Sequence, residues 1–143
     1  MYDEVLVPTD GSDPASVAVD EAVALAATAN ARVHFLHVVD VGTEMSASAV
    51  GTIADDLTET LESVADDALD DAVAVAEEAD VRYERETLEG VPHEAIEAYG
   101  REHDVDLIVV GTSGHSGLKE DLLGSTTDRV VQSADSSVLV ARP

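Results

Sequence analysis

Apolar and polar positions change period several times along this chain. Val5, Leu6 and Val7 form a short apolar run that Pro8 stops. Ser12 or Asp13 then offers a helix cap, Pro14 suits a first helical turn, and Ala15, Ala18, Val19, Ala22, Leu25 and Ala29 recur at helical spacing. Residues 33–39, VHFLHVV, read as a second buried strand. Residues 40–52 are rich in Gly, Ser, Thr and Ala without strong period, and read as a loop and candidate lid. From Ile53 the apolar residues return at spacings of three and four, through Leu57, Leu61, Val64, Ala68, Ala72, Val75 and Ala79. That spacing predicts one long amphipathic helix, with adjacent acid pairs such as Asp66-Asp67 and Asp70-Asp71 on its solvated face.

The second half repeats the alternation. Residues 81–88, VRYERETL, carry charge on both faces, as an exposed edge strand would. Gly90-Val91-Pro92 turns the chain into a helix bearing Ala95, Ile96 and Tyr99. Leu107-Ile108-Val109-Val110 is continuously apolar, as a central parallel strand should be. A short helix near residues 126–133 and a last strand at 138–141 complete the pattern. Five strands separated by helices imply right-handed βαβ units. The predicted class is α/β: a five-stranded, doubly wound, Rossmann-like parallel sheet of order 3-2-1-4-5, in one domain spanning residues 1–143.

Composition narrows what such a sheet could do. There is no cysteine, so disulfides and thiolate metal sites are excluded. No apolar run is long enough to span a membrane, and the opening MYDEVLVPTD lacks a basic leader region; a cytoplasmic protein is expected. Thirty-one acidic residues against seven basic ones leave a net charge of −24, with one lysine, Lys119. Such self-repulsion destabilises a compact state at ordinary salt, while at 1 M salt a Debye length of about 3 Å removes most of it. The balance fits adaptation to molar salt, as in halophiles. It also leaves no basic patch to neutralise phosphates, which argues against nucleic acid as a partner.

In a doubly wound sheet, ligands bind beyond the carboxyl ends of the strands at the switch point. That rule selects residues 8–12, 38–40 and 111–117. The last is the richest: Gly111, Gly114 and Gly117 follow the fourth strand, and Gly124-Ser125-Thr126 opens the next helix. Glycines let the backbone approach a ligand, a helix N-terminus presents free N–H groups to an anion, and Ser125 and Thr126 add hydroxyls for capping or phosphate contact. The spacing points to a phosphate cradle; the competing reading is a glycine-rich turn with a serine cap. Walker, dinucleotide and nucleophile-elbow motifs are absent. A response-regulator receiver would need an acid after strand three and a lysine after strand five, and Leu88-Glu89-Gly90 and Ala141-Arg142-Pro143 occupy those places. His34 and His37 sit at an odd offset on one strand and face opposite sides, so they cannot chelate together. His93 and His103 lie ten residues apart, and His115 falls within the glycine loop.

The pattern Gly111-x2-Gly114-x9-Gly124-Ser125 resembles the ATP-binding signature of universal stress proteins of the UspA superfamily. The segments VLVPTDGS, LHVVD, EGVPHEAI and SSVLVARP occur in that family's order, so the resemblance covers essentially the whole chain. It implies an adenine nucleotide alpha hydrolase-like fold and an adenine nucleotide, ATP or else ADP or AMP, in the switch-point cleft. The Val38 backbone would meet the adenine edge. Pro8, Thr9 and Asp10 would line base and ribose. Gly111, Thr112, Ser113, Gly114, His115, Gly117, Gly124, Ser125 and Thr126 would hold the phosphates, with Gly90 and Val91 at the border. Ser113 stands where members often carry histidine. Magnesium or manganese would accompany the phosphates, with no protein ligands assigned.

The resemblance further implies a homodimer through the last strand, from Val138 to Arg142, and a nucleotide-dependent switch in stress response. No catalytic residue is assigned: Lys119 and His115 are the loop's cations, and efficient hydrolysis needs a positioned base and a charge-stabilising group. The alternatives are a dimeric interaction module that binds no nucleotide, and a slow ATPase.

Overall fold

The computed structural model describes residues 2–40, 53–113 and 123–143, with backbone alone at 53–58. The expected loop at 41–52, and Gly114, His115, Gly117 and Lys119, lie outside the described residues. Among the described residues, nine elements follow in order: β1 (Glu4–Pro8), α1 (Asp13–Ala29), β2 (Arg32–Val39), α2 (Ile53–Glu78), β3 (Tyr83–Glu89), α3 (Pro92–Glu102), β4 (Leu107–Gly111), α4 (Ser125–Ser133) and β5 (Ser137–Ala141). The strands form one sheet of order β3-β2-β1-β4-β5. All four pairings are parallel, with Val5 opposite Val33 and Leu107, and Leu107 opposite Ser137. The expected class and strand order are those observed.

Strand alternation gives each face its own core. Val5, Val7, Val33, Phe35, Leu107 and Val109 point to one face, where α1 and α2 cover them with Ala18, Ala22, Leu69, Ala72 and Ala76. Leu6, Leu36, Ile108 and Val110 point to the other, against Ile96 and Tyr99 of α3 and Val130 of α4. Central β4 is buried along its whole length, whereas β3 is exposed at five of its seven positions. Charge on that edge discourages pairing with another chain.

The buried stripe of α2 is displaced from the one the spacing suggested. Ala65, Ala68, Leu69, Ala72, Val73 and Ala76 are buried, whereas Val64 is 44% exposed and Ala79 lies in the solvent. Two overlapping three-four patterns share Ala68 and Ala72, and periodicity alone does not choose between them. Close packing against α1 and the sheet selects the alanine-rich one. Across the seam Arg85 of β3 reaches Asp70 of α2 at 2.7 Å and Asp66 at 3.8 Å, so part of the acidic face ties helix to edge strand. Both acids are largely exposed, and such pairs contribute little each.

A buried polar network pins α3 to the sheet. His34 Nε2 lies 2.8 Å from Glu4 Oε1 and Nδ1 lies 2.8 Å from the Tyr99 hydroxyl. The carboxylate can only accept, so Nε2 carries a proton; in the neutral imidazole the Tyr99 O–H then donates to Nδ1. His103 stacks on the Tyr99 ring with centroids 3.8 Å apart. Burial, reinforced by the charges of Glu84, Glu86 and Glu4, pushes the Tyr99 phenol up to about 12. His34 and His37 do point to opposite faces; His37 lies on the α1–α2 side.

Candidate functional site

The strand order reverses between β1 and β4, and the carboxyl ends of these strands and of β2 converge on one end of the sheet. Three segments meet there. The first is the turn after β1. Thr9 is buried, and its N–H donates to Leu36 O at 2.8 Å. Its hydroxyl accepts from Gly11 N at 3.2 Å, and Asp10 Oδ1 accepts from Ser12 N at 3.0 Å. Gly11 has φ +79°, a conformation that side chains oppose. Ser12 then caps α1, its Oγ accepting from Ala15 N at 3.3 Å. Of the two expected caps, Ser12 is the one used.

The second segment is the end of β2. Parallel ladders alternate sides along a strand. Val33 N donates to Arg82 O and Val39 O accepts from Gly90 N, so odd residues of β2 serve β3, while Leu36 O serves Thr9. The backbone of Val38 therefore faces the β1 side, beyond Pro8, where the β1–β2 register ends. Gly90 continues the β3 rungs beside Val39 with φ +147°, and Val91 follows, half exposed.

The third segment follows β4. A Cβ on Gly111 would lie 2.4 Å from the Pro14 carbonyl oxygen. Gly111 thus makes room for the first turn of α1, a neighbour within the protein. Its carbonyl accepts from Thr127 Oγ1 at 2.7 Å, so one residue joins the starts of α1 and α4 to the end of β4. Gly124 N donates to Thr112 O at 2.7 Å, and a Cβ on Gly124 would lie 3.0 Å from Ser113 Cα. Gly124 is also the N-cap of α4, with extended backbone and no side-chain cap. Of the two roles expected for the Ser125 and Thr126 hydroxyls, capping or phosphate contact, capping is not the one seen: they begin the helix, Ser125 exposed and Thr126 half-buried, and the cap is Gly124. The hydroxyl doing the holding is that of Thr127, which the sequence reading missed. Its signal was a threonine three residues after the opening glycine.

Pro8, Thr9, Asp10, Val38, Gly111, Thr112, Ser113, Gly124, Ser125 and Thr126 thus border one end of the sheet. Gly114, His115 and Gly117 lie outside the described residues. Uncapped N–H groups at the start of α4 and a backbone edge at Val38 suit an anion beside a hydrogen-bonding heterocycle. A cavity of about 550 Å³ lies elsewhere, at the amino ends of β4 and β5. Glu97, Asp104, Asp106 and Asp135 line it with one guanidinium, Arg101, a charge balance that repels phosphate. Among the described residues no cluster of His, Asp and Glu is arranged to hold a metal ion, and no helix is long and apolar enough to cross a membrane.

Fold and cleft together define a doubly wound α/β domain with a switch-point site. The chain belongs to the universal stress protein family: a model of the Universal stress protein family matches residues 1–142. It is 37% identical to Universal stress protein MJ0531 of Methanocaldococcus jannaschii, over 99% of this chain and 83% of the relative. The solved structure of protein MJ0577 from the same organism superposes with a TM-score of 0.88 at 29% identity, covering 100% of this chain and 97% of that one. A universal stress protein solved in complex with cAMP superposes with a TM-score of 0.72 at 27% identity, covering 99% and 97%.

Proposed function

We propose that this chain binds an adenine nucleotide, ATP foremost, in the switch-point cleft and acts as a nucleotide-dependent switch in the stress response. The observation that carries this reading is the uncapped N-terminus of α4, seated by the Gly124–Thr112 bond at the end of β4. Its N–H groups hold the phosphates, joined by the backbone of residues 111–114. The Val38 N–H and C=O meet the adenine edge, and Thr9 and Asp10 line the ribose. The cAMP complex of a related protein supports an adenine ligand in this fold. Magnesium or manganese, held through the phosphates, offsets repulsion between the nucleotide and a chain of net charge −24. The active form is a cytoplasmic homodimer paired through β5, an outer strand whose Val138, Leu139 and Val140 are half exposed.

Calorimetric titration of the folded protein with ATP and magnesium in molar KCl tests the reading. Saturable heat is expected, and its absence would sink the nucleotide claim. Gly124→Val, which forces the Ser113 backbone away, and Gly114→Asp should each abolish binding without unfolding the domain. AMP and cAMP in the same cell rank the ligands.

A further inference from the structure

We propose that His37 is a positioning residue for this cleft: its imidazole replaces the missing last rung between β1 and β2, and thereby sets the turn at residues 9–12 and leaves the Val38 N–H to a ligand. The proposal rests on the nucleotide reading above for its second half only. The β1–β2 register stops at Pro8 and Leu36, and Thr9 N still donates to Leu36 O at 2.8 Å. In a continuing parallel ladder, the next rung would run from Val38 N to the Thr9 carbonyl. Instead that carbonyl lies 2.9 Å from His37 Nδ1. A carbonyl oxygen carries no hydrogen, so Nδ1 is the donor, whether the ring is neutral or charged. Both residues are buried, Thr9 at 6% and His37 at 7% exposure.

A buried carbonyl needs a donor, and the position of that donor fixes the direction of the peptide. His37 projects toward the α1–α2 face, as Phe35 does, so it draws the Thr9 carbonyl out of the sheet plane. With that peptide turned, the Thr9 hydroxyl accepts from Gly11, the Asp10 carboxylate accepts from Ser12, and Gly11 takes its positive φ. The same rotation stops β1 from claiming Val38. One imidazole therefore acts on both sides of the cleft, on the turn that carries Asp10 and on the backbone edge of β2.

The test compares His37→Leu, His37→Asn and His37→Gln with the parent protein in molar KCl. Titration with ATP and magnesium gives affinity, and amide hydrogen exchange of the nucleotide-free protein reports the turn at Gly11 and Ser12. Asparagine places an N–H donor at the δ position that Nδ1 occupies; glutamine places it one bond further out. His37→Leu is expected to lose at least tenfold in affinity and to exchange faster at Gly11 and Ser12. His37→Asn should restore both, and His37→Gln should not. Parent-like affinity and exchange in His37→Leu would overturn the proposal, as would equal losses in the Asn and Gln variants. If His37→Leu does not fold, the Asn-against-Gln comparison decides alone. If the parent binds no ATP, the nucleotide reading fails, and the exchange data still decide whether His37 sets the turn.

Discussion

One added methyl group at Gly111 is expected to disturb this protein more than its size suggests. An ideal Cβ there falls 2.4 Å from the Pro14 oxygen, 2.7 Å from the Pro14 carbonyl carbon and 3.2 Å from Ala15 N. The first distance is 1.0 Å short of the 3.4 Å at which ordinary contact begins. All three obstacles are backbone atoms in the first turn of α1, so no side chain can swing aside. That turn is anchored by the Ser12 cap and by buried Ala15. Overpacking of a tight core costs about 1–3 kcal/mol, and an unyielding backbone places Gly111→Ala near ~3 kcal/mol. For a chain of this length that lowers the melting temperature by roughly 10 °C. Gly100→Ala is the matched control. Its Cβ would meet side-chain atoms at 4.0 Å, ordinary contact inside α3, and removing a helical glycine stabilises by about 0.5–1 kcal/mol. Urea unfolding in molar KCl measures both. A Gly111→Ala variant within about 0.5 kcal/mol of the parent would refute the close-approach argument, since surface substitutions fall in that range.

Two further outcomes follow from charge. Tyr99 is held protonated in the fold, its pKa raised to about 12 from 10.0. Its contribution is therefore complete below pH 10 and lost as pH rises toward 12. Stability measured across that window should fall, and Tyr99→Phe should flatten the slope while removing the bond to His34; an unchanged slope would assign the loss to other groups. The net charge of −24 makes the melting temperature rise with KCl between 0.1 and 2 M, as the Debye length contracts from about 10 Å to below 3 Å. A salt-independent melting temperature would show that self-repulsion is not what limits stability here.

Much of the fold was legible in the chain because each element carries a local signal. A largely apolar run marked β2 and a continuous one β4, Ser12 and Pro14 marked the start of α1, and charge on both faces marked β3 as an edge. The registration of α2 was not legible: Val64 and Ala65 lie on competing stripes, and packing against α1 and the sheet decided between them. At the site, sequence determined the segments that converge, since the switch-point rule depends only on strand order and chain direction. It did not determine what each residue does there. At Gly111 the missing side chain makes room for the Pro14 carbonyl, a neighbour that only the fold supplies. Ser125 and Thr126 offered caps or phosphate contacts, yet the cap is Gly124, and Thr127 holds the Gly111 carbonyl. His37 looked like an isolated strand histidine, yet it completes the bonding of Thr9. These roles depend on contacts between residues far apart in the chain: 97 positions for Gly111 and Pro14, 16 for Thr127 and Gly111, and 28 for His37 and Thr9. Periodicity reports which face a residue turns to, whereas the partner waiting on that face exists only once the chain has folded.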